Sequence, residues 1–459
     1  MAQTATDGVT TTKSLDHWIE REGIRRFKIG IFDIDGVFRG KYVDREKLRS
    51  AVDKGFGFCD VVLGWDAHDE LYDRVEVSGW HTGYRDAPVR LDLSSLRRIP
   101  FEPDTLLLLG SFQESYAEVC PRTLLARELE RAREMGFEVS AAFEYEFFLF
   151  DETPHGVREK GYRNLRPFTP GMFGYSGIRS SVHAELHHEL LDLMEGLDCA
   201  LEGLHTETGP GVIEAAIRHD HGLAAADKAA LFKTFTKVFA QRRDLMATFM
   251  AKWSDDYPGQ SGHLHLSLTE TETGRSAFHD ADGPFGMSEL MRHFVAGQVL
   301  LMPELLSMVC STVNAYRRLV PGLWAPTAAN WGVENRTCAI RVIPGGPGAQ
   351  RSEYRVAPAD ANPYLVQAAA LASGLHGISQ RLELPPRVEG NAYEDAAAQA
   401  LALPTGLGEA AGRLRRSDVA RAIFGEAFVD HFATTREWEE EKSRRHVSDW
   451  DLARYFEII

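Results

Sequence analysis

Residues 139–150 carry the pattern that most restricts how this chain folds. Within them, Phe143-Glu144-Tyr145-Glu146-Phe147-Phe148-Leu149-Phe150 sets two carboxylates at alternate positions of an otherwise apolar and aromatic run. Such alternation predicts a β-strand, on which side chains at i and i+2 share a face. Glu144 and Glu146 then project to one side with Phe148, while Phe143, Tyr145 and Phe147 project to the other. Alone, the pair reads as a solvated sheet face. The strand is too apolar for a wet edge, however, and two carboxylates on a half-buried face invite a cation.

At 459 residues the chain exceeds what one hydrophobic core usually serves. We expect two unequal domains, residues 1–115 and 116–459, in an α+β arrangement whose larger part is built around an antiparallel sheet. Residues 1–13 read as a polar tail. Residues 26–43 read as two strands about an Asp35-Gly36 turn, residues 44–80 as a looser Gly- and aromatic-rich segment, and residues 106–109 as an apolar run after a break at Ile99-Pro100. Beyond them, helices are expected from Pro121 to Gly136 and over 182–195, 224–246, 289–309, 364–382 and 437–444. Strands bearing His, Arg and Glu lie between.

The formal charge of -16 argues against nucleic-acid or anionic-membrane partners, which require a basic surface. Cys59, Cys120, Cys199, Cys310 and Cys338 are scattered and odd in number, as expected of reduced thiols in a cytoplasmic protein. The most apolar segment, 363–378, is interrupted by Gln367, Ser373 and His376, so no membrane span is expected.

The alternation of residues 144 and 146 recurs elsewhere. His263-Leu264-His265, continued in parity by Ser267, offers two imidazoles on one strand face; Glu353-Tyr354-Arg355 offers an acid and a base. Glu207 and Glu214 flank a Thr208-Gly209-Pro210-Gly211 turn that would return one carboxylate beside the other. Arg317, Arg318, Arg336, Arg341, Arg351 and Arg355 crowd one segment of a strongly acidic chain, a pattern suited to gripping carboxylate or phosphate by two-pronged contacts. Each signal has a plain structural reading, as a core histidine, a surface ion pair or a solvated face. Together, oxygen and imidazole donors without thiolate suit Mg²⁺ or Mn²⁺, and arginines beside such ions are the equipment of phosphoryl transfer. Neither a Walker-type loop nor a strand-linked G-x-G-x-x-G is present.

These runs, with Arg317-Arg318-Leu319-Val320-Pro321-Gly322, Asn335-Arg336-Thr337, Arg351-Ser352-Glu353-Tyr354-Arg355 and Asn362-Pro363-Tyr364, resemble the successive motifs of glutamine synthetases in order along essentially the whole chain. The resemblance implies a small N-terminal β-grasp domain, a catalytic domain on a curved antiparallel sheet, and a homo-oligomer, a dodecamer of two stacked hexameric rings with active sites shared between subunits. It implies two or three Mg²⁺ or Mn²⁺ ions per site. Glu146, Glu207 and Glu214 fall at positions of the first ion, and Glu144, His263 and Glu353 at those of the second. It puts Arg318 and Arg355 on the carboxylates of L-glutamate, Arg336, Arg341 and Arg351 on phosphate groups, His265 and Ser267 on ATP, and the Gly259 backbone on the substrate amino group. Arg318, Arg336 and Glu207 take the catalytic positions.

The chain departs from that pattern where the amine is handled. Trp324 stands where ammonia-using members carry a Glu, Cys59 or Asp60 takes the acidic position of the N-terminal segment, and Val62 replaces a common serine. The tyrosine that some bacterial members adenylylate is matched by Leu382. The sequence thus points to a γ-glutamyl amide ligase acting on a small organic amine. The alternatives are a glutamine synthetase using ammonium and a catalytically silent oligomer.

Overall fold

The computed structural model describes residues 8–395 and 399–458, so most of the polar tail lies outside the described residues. An unanticipated helix, α1 (Thr12–Arg21), begins within the expected polar tail, because Thr11 and Ser14 cap each other's backbone N–H groups at 3.0–3.2 Å. Two strands follow, β1 (Arg26–Phe32) and β2 (Phe38–Val43), joined through Gly36 at φ +76°. The segment read as loose contains α2 (Arg45–Lys54), started by Asp44, whose carboxylate accepts from Lys47 N at 2.7 Å. It buries only Leu48 and Ala51, too few positions to show as a period.

β3 (Phe56–Cys59), β4 (Asp86–Arg98) and β5 (Thr105–Phe112) complete a five-stranded sheet in the order β2-β1-β5-β4-β3. β1 and β5 run parallel, and the other pairs run antiparallel. Strand β5 contributes to two separate hydrophobic cores. Its alternate residues Leu106 and Leu108 join an N-terminal core with Trp18, Ile29 and Leu48, while Leu107 and Leu109 belong to the large core of the remaining chain. A strand buried on both faces reads as a continuous apolar run, which is what residues 106–109 are.

Helix α3 (Pro121–Glu134) starts with proline at its first turn and stops at Gly136, φ +89°. Then comes β6 (Phe137–Phe150), the central strand of a nine-stranded sheet. Its chain-order partners are β7 (Leu201–Thr206), β8 (Val212–Ile217), β9 (Asp220–His221), β10 (Met246–Thr248), β11 (Gly262–Glu270), β12 (Trp331–Val333), β13 (Ile340–Ile343) and β14 (Arg351–Tyr354). The main path runs β12-β13-β14-β11-β6-β8-β7, with β9 and β10 also pairing with β6. All neighbours are antiparallel except β12 and β13, so the expected α+β class on an antiparallel sheet holds.

The sheet's inner face rests on helices. Phe143 stacks on Tyr145, Tyr145 stacks on Phe232, and Phe147 stacks on Phe249 and meets Phe232 edge-on, with ring centroids 5.3–6.1 Å apart. Phe232 comes from a helix at 222–241, which ends sooner than expected because Met246–Thr248 instead pairs with Phe148–Phe150. Helices at 289–309 and 363–380 pack closely beneath, matching the expected ones within two residues. The helix expected at 437–444 is the end of a longer one, Glu426–Arg445, preceded by two unexpected helices at 407–416 and 418–424.

Candidate active site

With the aromatic face of β6 in the core, alternation sends Glu144 and Glu146 to the opposite face, and strand register decides what meets them. Glu144 is paired with His263 of β11, His265 of β11 with Glu353 of β14, and Glu353 with Arg341 of β13. On the other side Glu146 is paired with Glu214 of β8, and Glu214 with His205 of β7. The scattered sequence signals thus form one belt across the sheet.

The belt contains two groups of metal-ligating side chains. In the first, Glu144, His265 and Glu353 bring donor atoms within 4.8 Å of one another. His265 Nε2 is 3.2 Å from Glu144, and His263 Nδ1 lies 3.7 Å from Glu144 and 3.5 Å from Glu353, so both imidazoles border the group. In the second, His205, Glu207 and Glu214 gather within the same span. Glu146 borders it and accepts a hydrogen bond from Ser261 N at 2.9 Å. Carboxylates with imidazole and no thiolate are a donor set that fits Mg²⁺ or Mn²⁺.

The two carboxylates of β6 live in opposite fields. Burial alone would raise Glu144, but hydrogen bonds from His263 and then His265 hold it far below the usual carboxylate range. Glu146 has no such donors beyond Ser261, and burial followed by repulsion from Glu214 pushes it up to about 8. Glu353, 1 % exposed, is drawn down to about 2 against its burial by Arg355, then His263, His265 and Arg341.

Arginines surround Glu353. Arg355 is ion-paired to it, and Arg341 donates to it at 3.0 Å while also pairing with Glu334. Arg351 donates to His265 Nδ1 at 3.2 Å. Arg336 is exposed and near enough to Tyr175 to act on its phenol. Arg318 differs: it is 1 % exposed and donates to Val356 O and Ser261 Oγ, both at 2.9 Å, and to Arg355 O at 3.2 Å. Gly259 lies against it, since a Cβ there would meet Arg318 Cγ at 2.7 Å and Ala251 O at 2.6 Å.

Beside the first group a cavity of about 430 Å³ is lined by Glu144, His265, Ser267, Glu202, Gln350 and Arg351 among others. A larger cleft of about 750 Å³, between Asp66 and Trp438, contains none of the belt residues and lies apart from this chemistry. Two expected amine-site residues are placed very differently. Trp324 is 58 % exposed with φ +62°. Asp60 is fully buried, where Ser78 Oγ donates to it at 3.0 Å and Tyr116 Oη at 3.4 Å, so its carboxylate is held by interior partners.

Residues 118–455 match the family described as glutamine synthetase, catalytic domain. The chain belongs to the glutamine synthetase family. Among its relatives, type-1 glutamine synthetase 2 of Dictyostelium discoideum is 45 % identical, over 94 % of this chain and 84 % of that one. Glutamate–isopropylamine ligase of a Pseudomonas species is 37 % identical, over 96 % and 97 %. γ-Glutamylethanolamide synthetase GlnA4 of Streptomyces coelicolor is 36 % identical, over 93 % and 91 %. The solved GmaS/ADP complex superposes with a TM-score of 0.83 at 26 % identity, over 96 % of this chain and 99 % of that chain. Like other members of the glutamine synthetase family, the protein is a carbon–nitrogen ligase, and the family works with ATP and divalent metal ions. Among the described residues no helix is long and apolar enough to cross a membrane.

Sequence reasoning in terms of carboxylates missed His205 and Tyr175. His205 stands two residues before Glu207 in Glu202-Gly203-Leu204-His205-Thr206-Glu207, the same i, i+2 spacing that singled out His263 and His265. Tyr175 had no signal, because it reaches the belt from an irregular segment distant in sequence.

Proposed function

We propose that this enzyme activates the γ-carboxylate of L-glutamate with ATP and joins it to a small organic amine. The observation that carries the reading is the belt itself: two carboxylate–imidazole groups side by side on one sheet face, one ringed by Arg341, Arg351 and Arg355 and opening on the 430 Å³ cavity. Relatives named for isopropylamine as a ligation partner and for a γ-glutamylethanolamide as a product support the choice of amine.

Glu144, His263, His265 and Glu353 would hold one divalent ion, and Glu146, Glu207 and Glu214 another. When bound, such ions supply positive charge to the phosphate oxygens. The cavity beside Ser267 and Arg351 receives the nucleotide, leaving its terminal phosphate at the arginines. A glutamate γ-carboxylate oxygen attacks the γ-phosphorus and ADP leaves, giving γ-glutamyl phosphate. Arg336, Arg341 and Arg355 offset the negative charge on the transferring group. The nitrogen of a neutral amine then attacks the acyl carbon, the C–O bond to phosphate breaks, and one proton passes from nitrogen to solvent or a nearby base. Sites of this kind are proposed for a stacked-ring homo-oligomer, with Arg318 and the Gly259 backbone positioning glutamate.

Measuring ADP release with glutamate and a panel of ammonium, alkylamines, ethanolamine and diamines tests the reading. An organic amine should give the highest kcat/KM. The relative named type-1 glutamine synthetase makes ammonium the competing outcome. A best rate with ammonium would reassign the substrate, and no ADP release with any amine would remove the activity.

A further inference from the structure

His205 is built into the belt more firmly than a packing residue requires. It sits near the end of β7 in register with Glu214, its Nε2 3.3 Å from Glu214 Oε1, while its Nδ1 lies 3.2 Å from Thr206 O and 3.9 Å from Glu207 Oε1. The ring of Tyr175 covers it, stacked at 4.3 Å and tilted by 28°.

Tyr175 is held there by backbone. Tyr175 N donates to Thr206 O at 2.7 Å, Ser176 N donates to Thr206 Oγ1 at 2.9 Å, and Thr206 Oγ1 donates to Phe173 O at 3.0 Å. Residues 173–176 are thereby sewn to the end of β7, and the imidazole is clamped between this strap and the two carboxylates.

A backbone carbonyl can only accept, so Nδ1–H donates to Thr206 O, and Nε2 is the nitrogen left to face Glu214, where a cation can take its lone pair. A carbonyl behind one nitrogen and a carboxylate, here Glu214, before the other is how proteins present an imidazole to a metal ion; Glu207 approaches the same ring from its Nδ1 side.

We propose that His205 is itself a metal ligand, its Nε2 adding one nitrogen to the site that Glu207 and Glu214 form with Glu146 at its border. The proposal rests on the reading of Glu207 and Glu214 as metal ligands given above, and adds to it a donor of different chemistry. Imidazole adds little affinity for Mg²⁺, which prefers all-oxygen shells, and more for first-row transition ions. The nitrogen therefore tilts this site toward Mn²⁺ over Mg²⁺, and the Tyr175 strap keeps it in place before the ion arrives.

Two measurements on the intact protein test this. In crystals soaked with Mn²⁺, an anomalous peak within bonding distance of His205 Nε2 and of Glu207 and Glu214 is expected. A peak held by Glu207 and Glu214 with His205 out of reach overturns the proposal and leaves the parent reading standing; no peak at these carboxylates overturns both. In solution, free Mn²⁺ is counted by its paramagnetic resonance signal, with Mg²⁺ as competitor. His205→Phe, which keeps an aromatic ring under Tyr175, should weaken one class of Mn²⁺ site by about ten-fold or more while changing Mg²⁺ competition far less. Equal losses for both ions, or none for either, mean the ring only packs. Tyr175→Phe preserves the stack and should leave Mn²⁺ affinity near that of the unaltered protein; a loss as large as that of His205→Phe would move the role from His205 to the phenol.

Discussion

Glu146 on β6 stands directly opposite Glu214 on β8, two carboxylates in register on neighbouring antiparallel strands with burial around them. Like charges facing each other across a ladder oppose folding by up to about 1 kcal/mol, more where solvent is excluded. In metal-free protein, Glu214→Gln should raise the unfolding free energy by about 1 kcal/mol while ADP release is lost. Denaturant melts in chelator beside the ADP assay check both. Unchanged stability would mean the pair is relieved by protonation alone, and retained turnover would remove Glu214 from the site.

Arg318 makes a second prediction, because its guanidinium is spent on the protein. One side chain spans Val356 O, Ser261 Oγ and Arg355 O from a fully buried position. A lysine has one nitrogen and cannot reach all three. Arg318→Lys should cost roughly 1–3 kcal/mol of stability, the penalty for buried acceptors left unsatisfied, and should also raise the glutamate KM strongly. Equilibrium unfolding and glutamate kinetics separate the two effects. Lost stability with an unchanged KM would make Arg318 a purely structural residue.

Trp324 is a large side chain held at φ +62° and 58 % exposed, an unfavourable backbone with little packing in return within one subunit. Such strain costs a bulky residue about 1–2 kcal/mol, so Trp324→Gly should be tolerated or slightly stabilising in thermal melts. If the indole forms an apolar wall for the amine, the same change should cut the kcat/KM advantage of alkylamines over ammonium by about ten- to a hundred-fold. Unchanged amine selectivity would sink that role.

A pH dependence follows from Glu128 on α3, which is buried. Burial, opposed by Arg131 and then Arg127, raises its carboxyl from 4.5 to about 7. The folded state therefore favours the protonated form. Its contribution is fully present below pH 4.5 and is lost as pH rises through about 7. Glu128→Gln keeps the neutral form at every pH, so its stability relative to the unaltered protein should improve between pH 5 and pH 8 by about 1–3 kcal/mol. Unfolding curves at the two pH values check this. A constant difference would show that the arginines already satisfy the charged group.

The sequence by itself determined the ingredients and their parity. Alternation in 143–150 placed Glu144 with Glu146 and sent the aromatics to the core, and proline and glycine marked both ends of α3; 106–109 showed as an apolar run, and only the fold made it a strand buried on two sides. These are local matters, governed by a side-chain period of two and by the torsions of single residues. Tertiary structure decided what no local rule reaches. Register set Glu146 against Glu214 and His205 beside them, choosing among pairings that differ by whole residues. It also turned Asp60 inward to Ser78 and Tyr116, away from the amine position that the resemblance implied for it. Arg318 was legible as a charge, but its burial against three acceptors was not. Finally, the strap that lays Tyr175 over His205 depends on hydrogen bonds between segments some thirty residues apart, with no repeating pattern to announce them. Contacts of that range are fixed by how the sheet closes, and only the folded chain brings them together.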